Sequence, residues 1–204
     1  MTVTMLQPGA IACLDDMLSA AECAEIAEEL QFAWWWDSPL VQIRPNGVQV
    51  SRRSYRRTSR TTSEQWMGEH TLRLLRRLED DLHHQVGLRP NHLEHWQAAR
   101  YRRGERFDEH HDAGFFGSDP RGERTTSVVV YLDSQPSGGA IYFPALRLRI
   151  QPRPGRAVVW PNLLPDASPD PRMRHVACPA RRGKTTLTVW ERQRPTRNTA
   201  ARRR

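Results

Sequence analysis

No stretch of this chain approaches the twenty or so consecutive apolar residues that a membrane-spanning helix needs. Cysteine is scarce: Cys13, Cys23 and Cys178 are odd in number, widely spaced and without a C-x-x-C pair. That argues against a disulfide framework and a zinc knuckle, and leaves three small buried or half-buried side chains. The opening residues M-T-V-T-M-L-Q-P-G-A have neither the basic region nor the apolar core of a secretory signal, so a cytoplasmic location is expected. Internal repeats are absent. Lysine is rarer than cysteine: of 31 basic residues only Lys184 is not arginine.

What is present suits one soluble domain. The 204 residues, 38% of them hydrophobic and 26% charged, are enough to bury a substantial core. The net charge of +8 raises the question of nucleic acid. However, six arginines fall between Arg44 and Arg60 and six more between Arg192 and the C-terminus, runs that read as solvated faces or tails, so nucleic acid is disfavoured as a partner. Residues 1–192 are expected to form a single domain, and 193–204 a basic, disordered tail.

Along the chain, Ser19 and Glu22 have capping-box spacing before Cys23, Ile26, Ala27 and Leu30, which predicts a helix from about Ala20 to Gln31. Three adjacent tryptophans, Trp34 to Trp36, cannot all face one way; core packing is the simplest reading, with at least one lining a surface or pocket. Val41, Ile43, Val48 and Val50 alternate around Pro45-Asn46-Gly47, which predicts a hairpin. Thr62 and Gln65 offer a second capping box ahead of the stripe Leu74, Leu75, Leu78, Leu82 and Val86, closed by Gly87. From Leu93 the texture changes to short β-like runs: 94–102, 106–112, 125–132, 140–143, 146–150, 156–160, 174–178 and 185–192. Eight short strands in about a hundred residues predict a double-sheet jelly roll over roughly 93–192. The fold class is therefore α+β, mainly β, with the N-terminal helices bracing one sheet from outside.

The chemistry gathers in Y-R-R-G-E-R-F-D-E-H-H-D, Tyr101 to Asp112. On a strand, His110 and Asp112 leave the same face, and with the later His175 they compose two imidazoles and one carboxylate, the facial triad of non-haem iron(II). The adjacent His111 points the other way, as a core or surface imidazole.

These residues carry a resemblance. Residues 94–192 resemble the iron(II)- and 2-oxoglutarate-dependent dioxygenases of the prolyl 4-hydroxylase family, whose fold is a double-stranded β-helix, cupin-like in form. Tyr101 and Gly104 stand at the family's Y-x-x-G spacing before H-x-D. Gly138-Gly139 with Phe143-Pro144 is similar to its G-G-x-x-x-F-P, and P-R-P-G-R-A-V-V-W-P-N-L and R-H-V-A-C-P-A-R-R-G-K are similar to later segments.

The resemblance implies that His110, Asp112 and His175 are the catalytic metal ligands. It also implies that Lys184, with Tyr101 and Thr186, binds 2-oxoglutarate, and that oxygen is consumed, with ascorbate as an optional reductant. Related halogenases have Gly or Ala in place of Asp112, so hydroxylation of an unactivated C–H, releasing succinate and carbon dioxide, is the implied reaction. The substrate is expected to be an amino acid, a proline-like peptidyl residue or a small metabolite, met by Arg124, Trp160, Phe115 and Phe116, with Ala113 to Glu123 as a lid. The chain departs from the family at Phe107, commonly Tyr, at Ile141, commonly Thr, and at Ser127. An AlkB-type nucleic-acid demethylase is the alternative, although G-K-T-T-L replaces that family's Asn-x-Thr-x-Arg pattern; a non-enzymatic basic jelly-roll binding protein is the third reading.

Overall fold

A computed structural model describes residues 2–7, 11–43, 49–134 and 137–197. The N-terminal third supplies β1 (Thr2–Gln7), β2 (Ile11–Asp15), α1 (Ala20–Glu29), β3 (Trp36–Asp37), β4 (Leu40–Ile43), β5 (Gln49–Arg52), β6 (Arg60–Ser63) and α2 (Glu69–Val86). The remainder supplies β7 (Gln97–Tyr101), β8 (Phe107–His110), β9 (Arg124–Tyr131), β10 (Ile141–Phe143), β11 (Leu148–Ile150), β12 (Ala157–Pro161), β13 (His175–Ala177) and β14 (Lys184–Arg192). All eight strands expected after Leu93 are therefore present, each within a few residues of its predicted limits.

The strands form a large sheet in the order β1-β2-β12-β9-β14-β7-β6-β3, a smaller one in the order β11-β10-β13-β8, and a separate β4-β5 pair. The two sheets face each other as a double-stranded β-helix. Alternation along each strand divides the apolar side chains between two cores. On the outer face of the large sheet, Ala98, Val128, Val130, Ala157, Val159, Leu187 and Val189 pack against Cys23, Ile26, Leu74, Leu78 and Leu82 of the two helices. On its inner face, Ile11, Cys13, Tyr131, Val158 and Trp160 meet Ile141, Phe143 and Ile150 of the small sheet. Leu78 and Leu82 are fully buried, each worth on the order of 2 kcal/mol. The helices thus brace the large sheet from outside, as the sequence predicts.

Local signals hold for α1 and partly fail for α2. Ser19 accepts from the Glu22 amide at 3.1 Å and the Glu22 carboxylate accepts from the Ser19 amide at 2.8 Å, the expected reciprocal cap. For α2, the Thr62–Gln65 cap does not form: Thr62 is buried in β6 and the helix starts at Glu69. Its cap comes instead from α1, where Glu29 accepts from the Thr71 amide at 2.9 Å and from the Thr71 hydroxyl. A Cβ at Gly68, the residue before the helix, would overlap the Glu29 carboxylate, at 1.5 Å from Oε1. Gly87 closes α2 at φ +72°, its amide donating to His83 O at 3.0 Å, a conformation that favours glycine.

The remaining expectations have mixed outcomes. The segment 193–197, expected to be disordered, is tied to the body: the Thr196 amide donates to Asn91 O at 2.9 Å, and Arg197 pairs with Glu79 at 2.7 Å and Glu64 at 3.2 Å. The rest of the tail and the Pro45-Asn46-Gly47 turn lie outside the described residues, although β4 and β5 do pair antiparallel. None of the three adjacent tryptophans is fully buried: Trp34 is 65% exposed, Trp35 packs half-buried at the helix core, and Trp36 lines the interior of the jelly roll. All three cysteines are free and buried.

Candidate functional site

Between the sheets lies a cavity of about 360 Å³. Lys184, Thr186, Thr188 and Trp190 of β14 line it, as do Ala99 and Tyr101 of β7. The residues between them in β14, Leu187 and Val189, fall into the helix-side core. The period of two that builds the outer core thus also aims a row of polar groups inward.

His110 and His175 stand directly opposite each other where β8 and β13 pair, with ring centroids 4.1 Å apart. Each ring is oriented from behind. His110 Nδ1 lies 2.9 Å from Asp108 O and His175 Nδ1 lies 2.9 Å from Met173 O. Since a carbonyl only accepts, each Nδ1 carries the proton and each Nε2 offers a lone pair. Burial holds both imidazoles below their ordinary pKa, His110 well below, and the neighbouring His175 adds to the effect on His110. Both are therefore neutral, as ligands must be.

Asp112 differs in one respect from the sequence expectation. β8 stops at His110, so Asp112 sits in the bend that follows and not on the strand. Its carboxylate still reaches the centre, 3.9 Å from His110 Nε2 and 3.8 Å from His175 Nε2. Burial alone would raise its pKa, but His175, His110, Arg124 and a hydrogen bond from Ser127 together hold it well below the usual carboxylate range. Ser127 Oγ donates to Asp112 Oδ2 at 2.7 Å, and Asn162 Nδ2 donates to Ser127 Oγ at 2.9 Å. The candidate ligand atoms of the three residues lie within 4.8 Å of one another. Two neutral imidazoles and one ionised carboxylate on one side fit a divalent iron ion, with the opposite side open to the cavity.

Deeper in the cavity, Lys184 is 1% exposed. It faces Tyr101 across the β14–β7 ladder, with Nζ 4.4 Å from the ring centroid and 2.8 Å from Gly139 O, to which it donates. Burial pushes its pKa from 10.5 down to about 8. Thr186 is two residues along the same face, opposite Tyr131 on β9. The Tyr131 hydroxyl accepts from the Ile141 amide at 3.0 Å and donates to Ile150 O at 3.4 Å, so it locks the two sheets together beside Lys184. Burial also raises the pKa of Tyr101, against the nearby Arg57 charge and a hydrogen bond with Ser59.

The four residues expected at the substrate all line the cavity, and three of them also have packing or pairing partners. Phe115 is half-buried and lines the cavity. Phe116 is 6% exposed, with the Arg124 and Arg192 guanidinium groups 4.6 and 4.4 Å from its ring centroid. Arg124 makes a bidentate pair with Glu94 at 2.8 and 2.7 Å and stacks 3.6 Å over Trp190. Trp160 stands edge-on to His175 at 4.8 Å and is 1% exposed, so it packs a candidate ligand. The proposed lid is also tied down, because the Glu123 carboxylate accepts from the Gly114 and Phe116 amides at 3.0 and 2.7 Å. His111 bridges backbone, accepting from the Ala113 amide at 3.0 Å and donating to Asp170 O at 2.9 Å.

Two residues at the site take roles that the sequence alone does not give them, Ser127 standing out there only as a departure from the family. Ser127 orients Asp112 from a strand fifteen residues later in the chain, and Arg57 lies in an arginine run that reads as solvated surface.

A family model described as the 2OG-Fe(II) oxygenase superfamily matches residues 96–192. Prolyl 4-hydroxylase subunit alpha-1 of Gallus gallus is 29% identical over 126 residues, covering 59% of this chain and 24% of its own length. Probable prolyl 4-hydroxylase 3 of Arabidopsis thaliana is 26% identical over 153 residues, covering 64% and 53%. The chain thus spans between about a quarter and about half of these relatives. Among solved structures, the viral collagen prolyl hydroxylase of Paramecium Bursaria Chlorella virus-1, in a 2OG complex, superposes with TM-score 0.66 at 19% identity, covering 92% of this chain and 99% of the other. A Pseudomonas putida prolyl-4-hydroxylase superposes with TM-score 0.57 at 20% identity, covering 90% and 92%. At those identities the structures speak for the fold.

Proposed function

Because the chain belongs to the 2OG-Fe(II) oxygenase superfamily, with prolyl 4-hydroxylases as its relatives, we propose that it is an iron(II)- and 2-oxoglutarate-dependent dioxygenase that hydroxylates an unactivated C–H. The substrate is an amino acid, a proline-like peptidyl residue or a small metabolite. Iron(II), 2-oxoglutarate and oxygen together supply the oxidising chemistry, with succinate and carbon dioxide as by-products. His110, Asp112 and His175 hold the metal. Asp108 O and Met173 O fix which imidazole nitrogen faces it, and Ser127 fixes the carboxylate. Lys184 receives the far carboxylate of 2-oxoglutarate in a charge-assisted bond, with Thr186 and Tyr101 as neighbouring hydroxyl groups. Tyr131 keeps the two sheets at the spacing this requires.

The observation that carries the reading is the conjunction of the anchored triad with a buried ammonium that has no carboxylate within 4.0 Å among the described residues. A cavity of about 360 Å³ suits one small ring or amino-acid side chain beside the co-substrate. Free, buried cysteines support a reducing, cytoplasmic setting; ascorbate as a reductant belongs to the same proposal. Among the described residues no helix is long and apolar enough to cross a membrane.

Anaerobic titration with iron(II) and then 2-oxoglutarate tests the reading. A weak visible metal-to-ligand charge-transfer band should appear at one equivalent, and air should then yield succinate. Absence of the band in the wild-type protein, or its persistence in His110→Ala, would overturn the assignment.

A further inference from the structure

Three cations border the cavity: Lys184, Arg124 and Arg57. Arg124 is engaged by Glu94. Lys184 is assigned above to the co-substrate. Arg57 has only neutral oxygens, all at long range: Pro39 O at 3.3 Å, Ser59 Oγ at 3.4 Å and Thr61 Oγ1 at 3.5 Å. Among the described residues, carboxylates near it have other partners: Asp112, whose charge acts on Arg57, is held by Ser127 at 2.7 Å and set between the two candidate metal-ligand histidines. Asp37 pairs with Arg53 at 2.7 Å and Arg60 at 3.8 Å, and Asp108 pairs with Arg106 at 2.7 Å. Behind Arg57 the hydroxyl groups of Ser38, Ser59 and Thr61, each at most 2% exposed, bond to one another at 2.8 and 2.5 Å. The guanidinium also lies 4.8 Å from the Phe107 ring centroid, and Phe107 stacks on His110 at 3.4 Å. Since His110 covers one face of that ring, Arg57 covers the other. It is therefore held from behind by buried hydroxyl groups, one ring thickness beyond a metal ligand, and faces the cavity.

The charges of the filled site point the same way. A ferrous ion, the Asp112 carboxylate, the 2-oxoglutarate dianion and the Lys184 ammonium cancel, with both histidines neutral. Arg57 then remains as one surplus positive charge inside the cavity, and a positive charge in a site of low dielectric favours an anion there. We infer that Arg57 receives a carboxylate of the substrate, so that the molecule hydroxylated is a carboxylate-bearing one. This rests on the hydroxylase reading and narrows its substrate class. The carboxylate has two sources, the α-carboxylate of a free amino acid or an acidic side chain beside the hydroxylated residue of a peptide.

Binding to protein loaded with manganese(II) and 2-oxoglutarate without oxygen tests the inference, with isothermal titration as the readout. The probes are the L-amino acids, each as free acid and as amide, and acetylated proline–glutamate and proline–glutamine dipeptide amides. At least one acid is expected to bind about tenfold to a hundredfold more tightly than its uncharged counterpart, the range of a charge-assisted bond. Preference for the free acids or for the glutamate peptide identifies the source. Arg57→Met should abolish the preference, Arg57→Lys should keep part of it, and 2-oxoglutarate affinity should stay within a few-fold in both. The inference is overturned if no wild-type pair shows the preference, if Arg57→Met retains it, or if Arg57→Met loses 2-oxoglutarate affinity in step. A wild-type protein that binds no 2-oxoglutarate defeats the hydroxylase reading itself, before any substrate is added.

Discussion

Replacing Lys184 by Met is expected to move stability and co-substrate affinity in opposite directions. Without co-substrate, the ammonium is 1% exposed and has one hydrogen bond, to Gly139 O, with the Tyr101 ring beside it. Burial lowers its pKa from 10.5 to about 8; at about 1.4 kcal/mol per pH unit this is a destabilisation on the order of 3 kcal/mol. Methionine keeps much of the stem and removes the charge, while leaving the Gly139 carbonyl without its donor, which costs about 1 to 2 kcal/mol. A net gain near 1 to 2 kcal/mol corresponds to a melting temperature higher by roughly 2 to 8 °C for a domain of this size.

The pH dependence follows from the same burial. Between about pH 8 and 10.5 the unfolded chain holds a proton that the folded one has released, so wild-type stability should rise with pH across that window, and this contribution should be absent from the Met variant. Co-substrate affinity goes the other way, because the far carboxylate of 2-oxoglutarate would enter a dry pocket unpaired, at about 3 to 5 kcal/mol, roughly several hundredfold or more in affinity. Lys184→Arg should keep part of it. Thermal denaturation from pH 7 to 11 reads the first effect, and anaerobic titration of the charge-transfer band reads the second. Near-wild-type 2-oxoglutarate affinity in Lys184→Met would remove Lys184 from the site; a lower melting temperature would show that the buried charge is no burden to the fold.

The other expectations concern the metal ligands and the tail. His110→Ala, Asp112→Ala and His175→Ala should each abolish iron uptake with the circular dichroism spectrum unchanged, whereas His111→Ala should keep iron and lose about 1 to 3 kcal/mol of stability, because the Asp170 carbonyl and Ala113 amide lose their partner. Ser127→Ala removes the hydrogen bond that helps keep Asp112 ionised; its iron affinity should fall about tenfold to a hundredfold, and iron should be released at a higher pH than from the wild type. Arg197→Ala removes the ion pair that Arg197 makes with the buried Glu79 carboxylate and should destabilise the protein by about 3 kcal/mol, measured by urea denaturation, with 2-oxoglutarate affinity unaffected.

The sequence by itself determined what depends on period and spacing. Alternating short runs after Leu93 specify strands because a pleated strand must send neighbours to opposite faces. The interval from His110 to Asp112 and the solitary Lys184 made the candidate metal and co-substrate residues legible in the sequence. The Ser19–Glu22 cap was equally legible, since both partners lie within one helical turn.

Contacts between distant segments were not legible, because no local pattern encodes them. The α2 cap comes from Glu29, forty-two residues before Thr71. Asp112 reaches the centre although its strand ends at His110, because Ser127 on β9 holds it there, itself backed by Asn162 just past the end of β12. Arg124 and Phe116, read as substrate contacts, line the cavity and are also engaged by Glu94 and Arg192. The same arginine-rich composition that reads as solvated surface hides both Arg57, turned inward by the buried hydroxyl cluster, and Arg197, drawn onto Glu79. Which arginine meets a carboxylate and which faces the cavity is decided by the packing of the two sheets and by the helices laid across one of them, since an arginine's partner depends on three-dimensional neighbours that spacing along the chain does not specify.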